Sequence, residues 1–157
     1  MTDAVVLYHN ADQARAALAA AAEYGAPLKL ATAPGAARYA GPSYLAAALS
    51  EADMVYPATR AEAWIDCGED ADLVLRSIKA GWRRIVFSGR KAIETRVADI
   101  CAQYHVEIRS HRAFGKDASI TFDLGDTPDP MAGMRNFFTV RRDDAGDSTD
   151  RKARTES

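Results

Sequence analysis

An α/β fold of repeated βα units on a largely parallel sheet is what this sequence predicts, and three observations carry the prediction. Short apolar runs rich in branched residues alternate with longer stretches whose apolar residues recur at helical spacing. Glycine, proline and capping residues stand between the two kinds of segment, where the chain must turn. The length of 157 residues, with 48% hydrophobic and 27% charged, suits a single globular domain with a substantial core.

The first strand is Val5-Val6-Leu7-Tyr8, continuous enough to be buried on both faces. Asn10 then caps a helix, accepting from the first-turn amides while Gln13 reaches back, and Gly25 and Pro27 end it. Its apolar face is Ala14, Ala17, Leu18 and Ala21. Leu28 to Ala31 is the second strand, and a turn from Ala33 to Gly41 leads to a helix with Pro42 at its first position and Tyr44, Leu45, Ala48 and Leu49 at helical spacing. Ala63-Trp64-Ile65-Asp66 is the third strand; Asp70 opens a helix that packs Leu73, Val74 and Ile78 and stops at Gly81. Ile85-Val86-Phe87-Ser88 is the fourth, again apolar enough for both faces. In the helix after it Ile93, Val97, Ile100, Cys101 and Tyr104 make one stripe, which implies that Cys101 is buried. Val106 to Arg109 is the fifth strand. Beyond Ser110 the signals thin, with Ile120-Thr121-Phe122 a weaker sixth strand, until Asp129-Pro130 opens a last helix carrying Met131, Met134, Phe137 and Phe138. Residues 1–140 then form one domain, and the polar run 141–157 is predicted to be a disordered tail.

Several function classes lose their warrant at this level. A formal net charge of -2 gives no field that gathers nucleic acid or anionic lipid, so neither is an expected partner. No apolar run has the length of a membrane span, and the N-terminal residues lack a basic then apolar leader pattern; a cytoplasmic location is the expectation. The two cysteines form no Cys-x-x-Cys pair. There is no G-x-G-x-x-G fingerprint, phosphate-binding G-x-x-x-x-G-K-[ST] loop, G-x-S-x-G elbow or H-E-x-x-H helix.

In parallel βα architectures functional groups collect where strands run into helices, which narrows the candidates. They are His9 and Asn10 after the first strand, the turn 33–41 with Arg38 after the second, Asp66-Cys67-Gly68 after the third, Ser88-Gly89-Arg90 after the fourth, and Arg109 to His111 after the fifth. Asp66 can move a proton, and a Cys67 thiolate can ligate zinc or attack a carbonyl. Arg38 and Ser88 are candidates for substrate binding, Arg38 because a glycine-containing turn ahead of a helix presents amides and a cation to an anion. Plain structural readings stand beside these: Asn10 as a helix cap, Ser88-Gly89 as a tight turn, and Asp66-Cys67-Gly68 as turn chemistry.

Taken in order, the segments resemble the N-terminal half of class II fructose-bisphosphate aldolases, metal-dependent (β/α)8 barrels. ADQARAALAAAAEYGAPLKLATA is similar to the family's first helix and second strand, and GAARYAGPSYLAAAL to its G-A-x-x-Y-x-G-x-x-x-L turn and helix. EAWIDCG is similar to its H-L-D-H-G strand end, and DADLVLRSIKAGWRRIVFSG to its helix, A-G-[FW], strand, D-G-S pattern. YHVEIRS resembles its V-E-x-E strand and DTPDPMAGMRNFF its T-D-P-E-E-A helix. The likeness runs over residues 4–140, about five of eight βα units.

What the resemblance implies follows position by position. Asp66 matches the family's proton-transferring Asp, Cys67 stands where a metal-binding His belongs, and Trp64 replaces the other His of that motif. Ala33 takes the place of a Ser, Leu7 of an Asn, Ser88 of the Asp in D-G-S, and Arg109 of the second Glu in V-E-x-E. The other metal histidines and the phosphate loops have no counterpart, so zinc is possible but its ligand set is incomplete, with Cys67 alone in register. The expectation is a truncated aldolase-like protein without aldolase activity, a pseudoenzyme that binds a sugar phosphate or a protein partner. The alternative is a divergent zinc- or thiol-dependent lyase using Asp66 and Cys67, with His9 or His111 nearby. A partial TIM barrel has two open edges and an unfilled interior. Either the sheet flattens into a flavodoxin-like doubly wound layer, or a second copy or another partner closes the half-barrel.

Overall fold

The five apolar runs and the weaker sixth become parallel strands: β1 (Ala4–Tyr8), β2 (Leu28–Thr32), β3 (Ala61–Asp66), β4 (Arg84–Val86), β5 (Glu107–Arg109) and β6 (Ile120–Asp123). Between them run α1 (Ala11–Tyr24), α2 (Ala36–Ala40), α3 (Pro42–Val55), α4 (Ala71–Lys79), α5 (Lys91–Gln103) and α6 (His111–Asp117). A last helix, α7, covers 130–141. The computed structural model describes residues 4–55, 61–117 and 120–141. The tail expected over 141–157 lies outside them except for Arg141, which is still helical and sits 5.4 Å from the Phe137 ring centroid. No helix among the described residues is long and apolar enough to cross a membrane.

Local signals account for most element ends. Asn10 Oδ1 accepts from the Gln13 N–H at 2.9 Å, and Gln13 Oε1 reaches back to the His9 N–H at 2.8 Å. Asp70 caps α4 through the amides of Asp72 and Leu73. The structure departs from expectation at three points. The turn after β2 contains the five-residue α2, and β4 ends at Val86, because the Ser88 N–H turns to the Gly68 carbonyl (3.0 Å). On α5, Val97 and Cys101 are buried as the stripe requires, but its ends Ile93 and Tyr104 are exposed.

The sheet order is β5-β4-β3-β2-β1-β6. Each step from β1 to β5 moves to the next neighbour in the same direction, the order of a barrel segment, and reversal comes only with β6 on the far side of β1. Crossovers of one hand put their helices on one face of the sheet. Strand residues therefore sort by alternation. Val6, Tyr8, Leu30, Ile65 and Ile85 join Leu18, Leu45, Leu73, Val97, Cys101 and Met134 of the helices in the main core. Val5, Ala31, Trp64 and Val86 form a second cluster with Leu7 and Phe114.

That second cluster lies on what would be the inside of a closed barrel. The connection from β5 to β6 runs opposite to all the others, so a right-handed path carries α6 over this inner face. Phe114 of α6 lies on Trp64, ring centroids 5.4 Å apart, and Lys29 Nζ sits 5.2 Å from the Phe114 ring centroid. Nearby on the same face charges alternate in sign. Glu62 accepts from the Trp64 indole N–H (2.8 Å) and lies 3.7 Å from Arg84, which is 3.7 Å from Glu107, itself 3.1 Å from Arg109. Each half-exposed pair is weak alone. Together they make this part of the inner face polar.

Truncations separate the two faces. Leu18→Ala, in the fully buried helical layer, is expected to lower unfolding free energy by about 3 kcal/mol, and Phe114→Ala, partly buried, by about 2 kcal/mol. Urea unfolding monitored by Trp fluorescence measures both, and an unchanged midpoint for Phe114→Ala means that α6 does not close the inner face.

Candidate active site

The C-terminal ends of β3, β4 and β5 bring together three side chains that the sequence offers separately. Asp66 is the last residue of β3, two residues beyond Trp64 and hence on the inner face, with only 12% of its side chain exposed. Its N–H donates to the Thr32 hydroxyl at 2.9 Å, and its Oδ1 accepts from the Gly68 N–H at 2.9 Å. Gly68 has φ of +60°, a left-handed conformation that turns this amide back onto the carboxylate.

His111, the first residue of α6, completes the cluster. Its Nε2 lies 2.8 Å from Asp66 Oδ1 and its Nδ1 lies 2.8 Å from Ser88 Oγ. The His111 backbone N–H also donates to Ser88 Oγ, at 2.9 Å. A carboxylate facing Nε2 selects the ring form with a proton there, which leaves Nδ1 of the neutral ring as an acceptor for the Ser88 O–H. Asp66, His111 and Ser88 thus form a hydrogen-bonded chain open to solvent, the imidazole side chain being 41% exposed.

Cys67 does not belong to it. One residue after Asp66, it points to the opposite face, 1% exposed in the helical core and 3.4 Å from the Ser77 hydroxyl of α4. Burial pushes its thiol up to about 12, with the Asp66 and Asp70 charges adding to the shift. Asp66 and Cys67 therefore cannot converge on one ion as the sequence reading paired them, because strand alternation separates them. Trp64 supplies no metal donor, and among the described residues no three His, Cys, Asp or Glu side chains come together. A catalytic zinc needs three protein ligands. The residues present do not fit the family's metal site.

The remaining candidates lie apart. Arg38 is paired with Asp70 at 3.6 Å, linking α2 to the start of α4, and is largely exposed. His9 meets Asp123 at 2.7 Å at the β1/β6 end of the rim, where Gly125 comes so close that a Cβ would sit 2.7 Å from His9 Nε2. Neither Asp123 nor α6 is singled out by the periodicities of the sequence. A signal for α6 exists: Ser110 Oγ accepts from the Ala113 N–H at 3.1 Å, an N-cap three residues before an amide, at the point where periodicity fails in so short a helix.

No family model matches this sequence, and no curated protein matches it. Among solved structures it is similar to the crystal structure of a protein assigned as a fructose-1,6-bisphosphate aldolase from Coccidioides immitis. The TM-score is 0.57 at 17% identity, over 69% of this chain and 40% of that one. The likeness defines an aldolase-like α/β fold, of which this chain spans less than half of the other's length.

With its sulfur buried and its thiol held protonated, Cys67 is expected to resist iodoacetamide at pH 8 in the folded protein and to react fully in urea. Mass spectrometry of the alkylated peptides reads this, and fast native labelling of Cys67 contradicts it.

Proposed function

We propose that this chain is a relative of the class II aldolases. In this reading it binds a small phosphorylated hydroxy compound at the Asp66, Ser88 and His111 rim and does not itself perform metal-dependent aldol cleavage. The observation that carries the reading is the engagement of Asp66 by His111 at 2.8 Å. At the position where the resemblance places a proton-transferring carboxylate, the partner is an imidazole, and the flanking positions offer no metal donor set. Hydroxyl groups of a ligand find donors and acceptors in all three side chains. Exposed cations adjoin two of them in the chain, Arg90 and Lys91 after Ser88-Gly89 and Arg112 after His111, and favour an anionic ligand. A thiol-dependent lyase loses support from the burial of Cys67.

The role that follows is binding or regulation rather than carbon–carbon bond cleavage. In the same reading β5 and β6, the two edges of the sheet, are where a second copy or another protein would extend it.

Calorimetric titration with fructose 1,6-bisphosphate and dihydroxyacetone phosphate tests the reading. Binding is expected for the intact chain, and His111→Ala is expected to weaken it roughly tenfold, about 1.4 kcal/mol. A coupled assay with added zinc is expected to show no cleavage of fructose 1,6-bisphosphate above background. Binding that ignores His111→Ala, or zinc-dependent cleavage, refutes it.

A further inference from the structure

We infer that Ser88 is a base-activated nucleophile and that the rim has an acyl-transfer activity toward small carboxylic esters. The inference rests on the same three side chains as the binding proposal but needs neither its ligand nor its lineage.

An activated serine requires a base within hydrogen-bond reach, a third group that orients the base, and access for the substrate. All three are present. Ser88 Oγ is 2.8 Å from His111 Nδ1, and His111 Nε2 is 2.8 Å from Asp66 Oδ1. Ser88 Oγ already accepts the His111 backbone N–H at 2.9 Å, which directs its own proton toward the imidazole and stabilises negative charge on the oxygen. The carboxylate is itself fixed by the Gly68 amide at 2.9 Å, so the ring cannot turn without losing a held partner. The imidazole is 41% exposed, and the cluster opens at the strand ends rather than into the core.

Asp66 takes Nε2 and the hydroxyl takes Nδ1; either ring nitrogen serves as base if the other bears the proton and faces the carboxylate. The step is then balanced. The Ser88 O–H proton passes to His111 Nδ1 as Oγ bonds to the ester carbonyl carbon, giving a tetrahedral oxyanion. Its collapse breaks the bond to the leaving oxygen, which takes the proton from His111 and departs as an alcohol. Water, deprotonated by the same imidazole, cleaves the acyl-Ser88 ester and regenerates the hydroxyl. The amides next to Ser88 are already engaged, Ser88 N–H with the Gly68 carbonyl and Gly89 N–H with Glu94. Solvent at the open rim is then what hydrates the oxyanion. An open rim suits short acyl groups.

p-Nitrophenyl acetate is the probe, with nitrophenolate release followed optically and the acetylated protein digested for mass spectrometry. The expected result is one acetyl group on the tryptic peptide Ile85–Arg90, whose only hydroxyl side chain is Ser88. Ser88→Ala is expected to abolish that adduct, and His111→Gln to slow acylation roughly a hundredfold. Asp66→Asn is expected to slow it by about tenfold or more, because the ring loses its orienting charge. Absence of the adduct, or an unchanged rate in a folded His111→Gln variant, overturns the inference. If circular dichroism shows that variant unfolded, Asp66→Asn decides, and an acylation rate equal to that of the parent chain overturns it. The probe carries no phosphate, so failure here leaves the sugar-phosphate reading standing, and failure of that reading leaves Ser88 acylation intact.

Discussion

The rest of this structure follows from how the inner face of the sheet is covered. In a closed barrel the inward side chains of opposed strands pack against one another. Here the inward residues of β1 to β4 have α6 for a partner, through Phe114 on Trp64, Val5, Ala31 and Val86. Around this contact Lys29, Glu62, Arg84, Glu107 and Arg109 alternate in charge, a pattern that satisfies each carboxylate locally and needs no buried partner. These paired charges make this part of the inner face polar.

The same helix builds the site. His111 and Phe114 are three residues apart on α6, the spacing that puts two side chains on neighbouring positions of one helical face. When Phe114 docks on Trp64, His111 arrives over the end of β3, where Asp66 has just emerged on the same side of the sheet. The rim geometry is therefore a consequence of packing one turn away. Ser88, two residues past the inward-facing Val86, follows it onto the inner face by alternation, and its N–H turns to the Gly68 carbonyl.

Much of this architecture is legible from residue patterns. Asn10 with Gln13, Asp70, Pro42 and Gly25 mark element ends by hydrogen-bonding needs that depend only on neighbours in sequence, and they fall where expected. The buried stripe of α1 and the burial of Cys101 follow from period alone. Asp66, Ser88 and His111 are each identifiable as strand-end residues, but their convergence is not. It depends on a crossover that returns across the whole sheet, and α6 is too short to show a period. The pairing of Asp66 with Cys67 fails for the opposite reason: adjacency in sequence suggests a shared site, whereas consecutive strand residues face opposite sides. Asp123 is hidden because its partner His9 is 114 residues away.

Trp64 links the scaffold to the chemistry. It stands where the class II resemblance places a metal-binding histidine, and in this chain its ring packs Phe114 while its N–H is taken by Glu62. A histidine there would give Phe114 of α6 a smaller, more polar platform. With tryptophan, the helix docks and delivers the His111 imidazole to the carboxylate that the resemblance associates with a metal-dependent reaction. The tryptophan at position 64 and the imidazole at Asp66 are thus two ends of one packing arrangement. The groups that this packing holds in register at the rim are Asp66, His111 and Ser88.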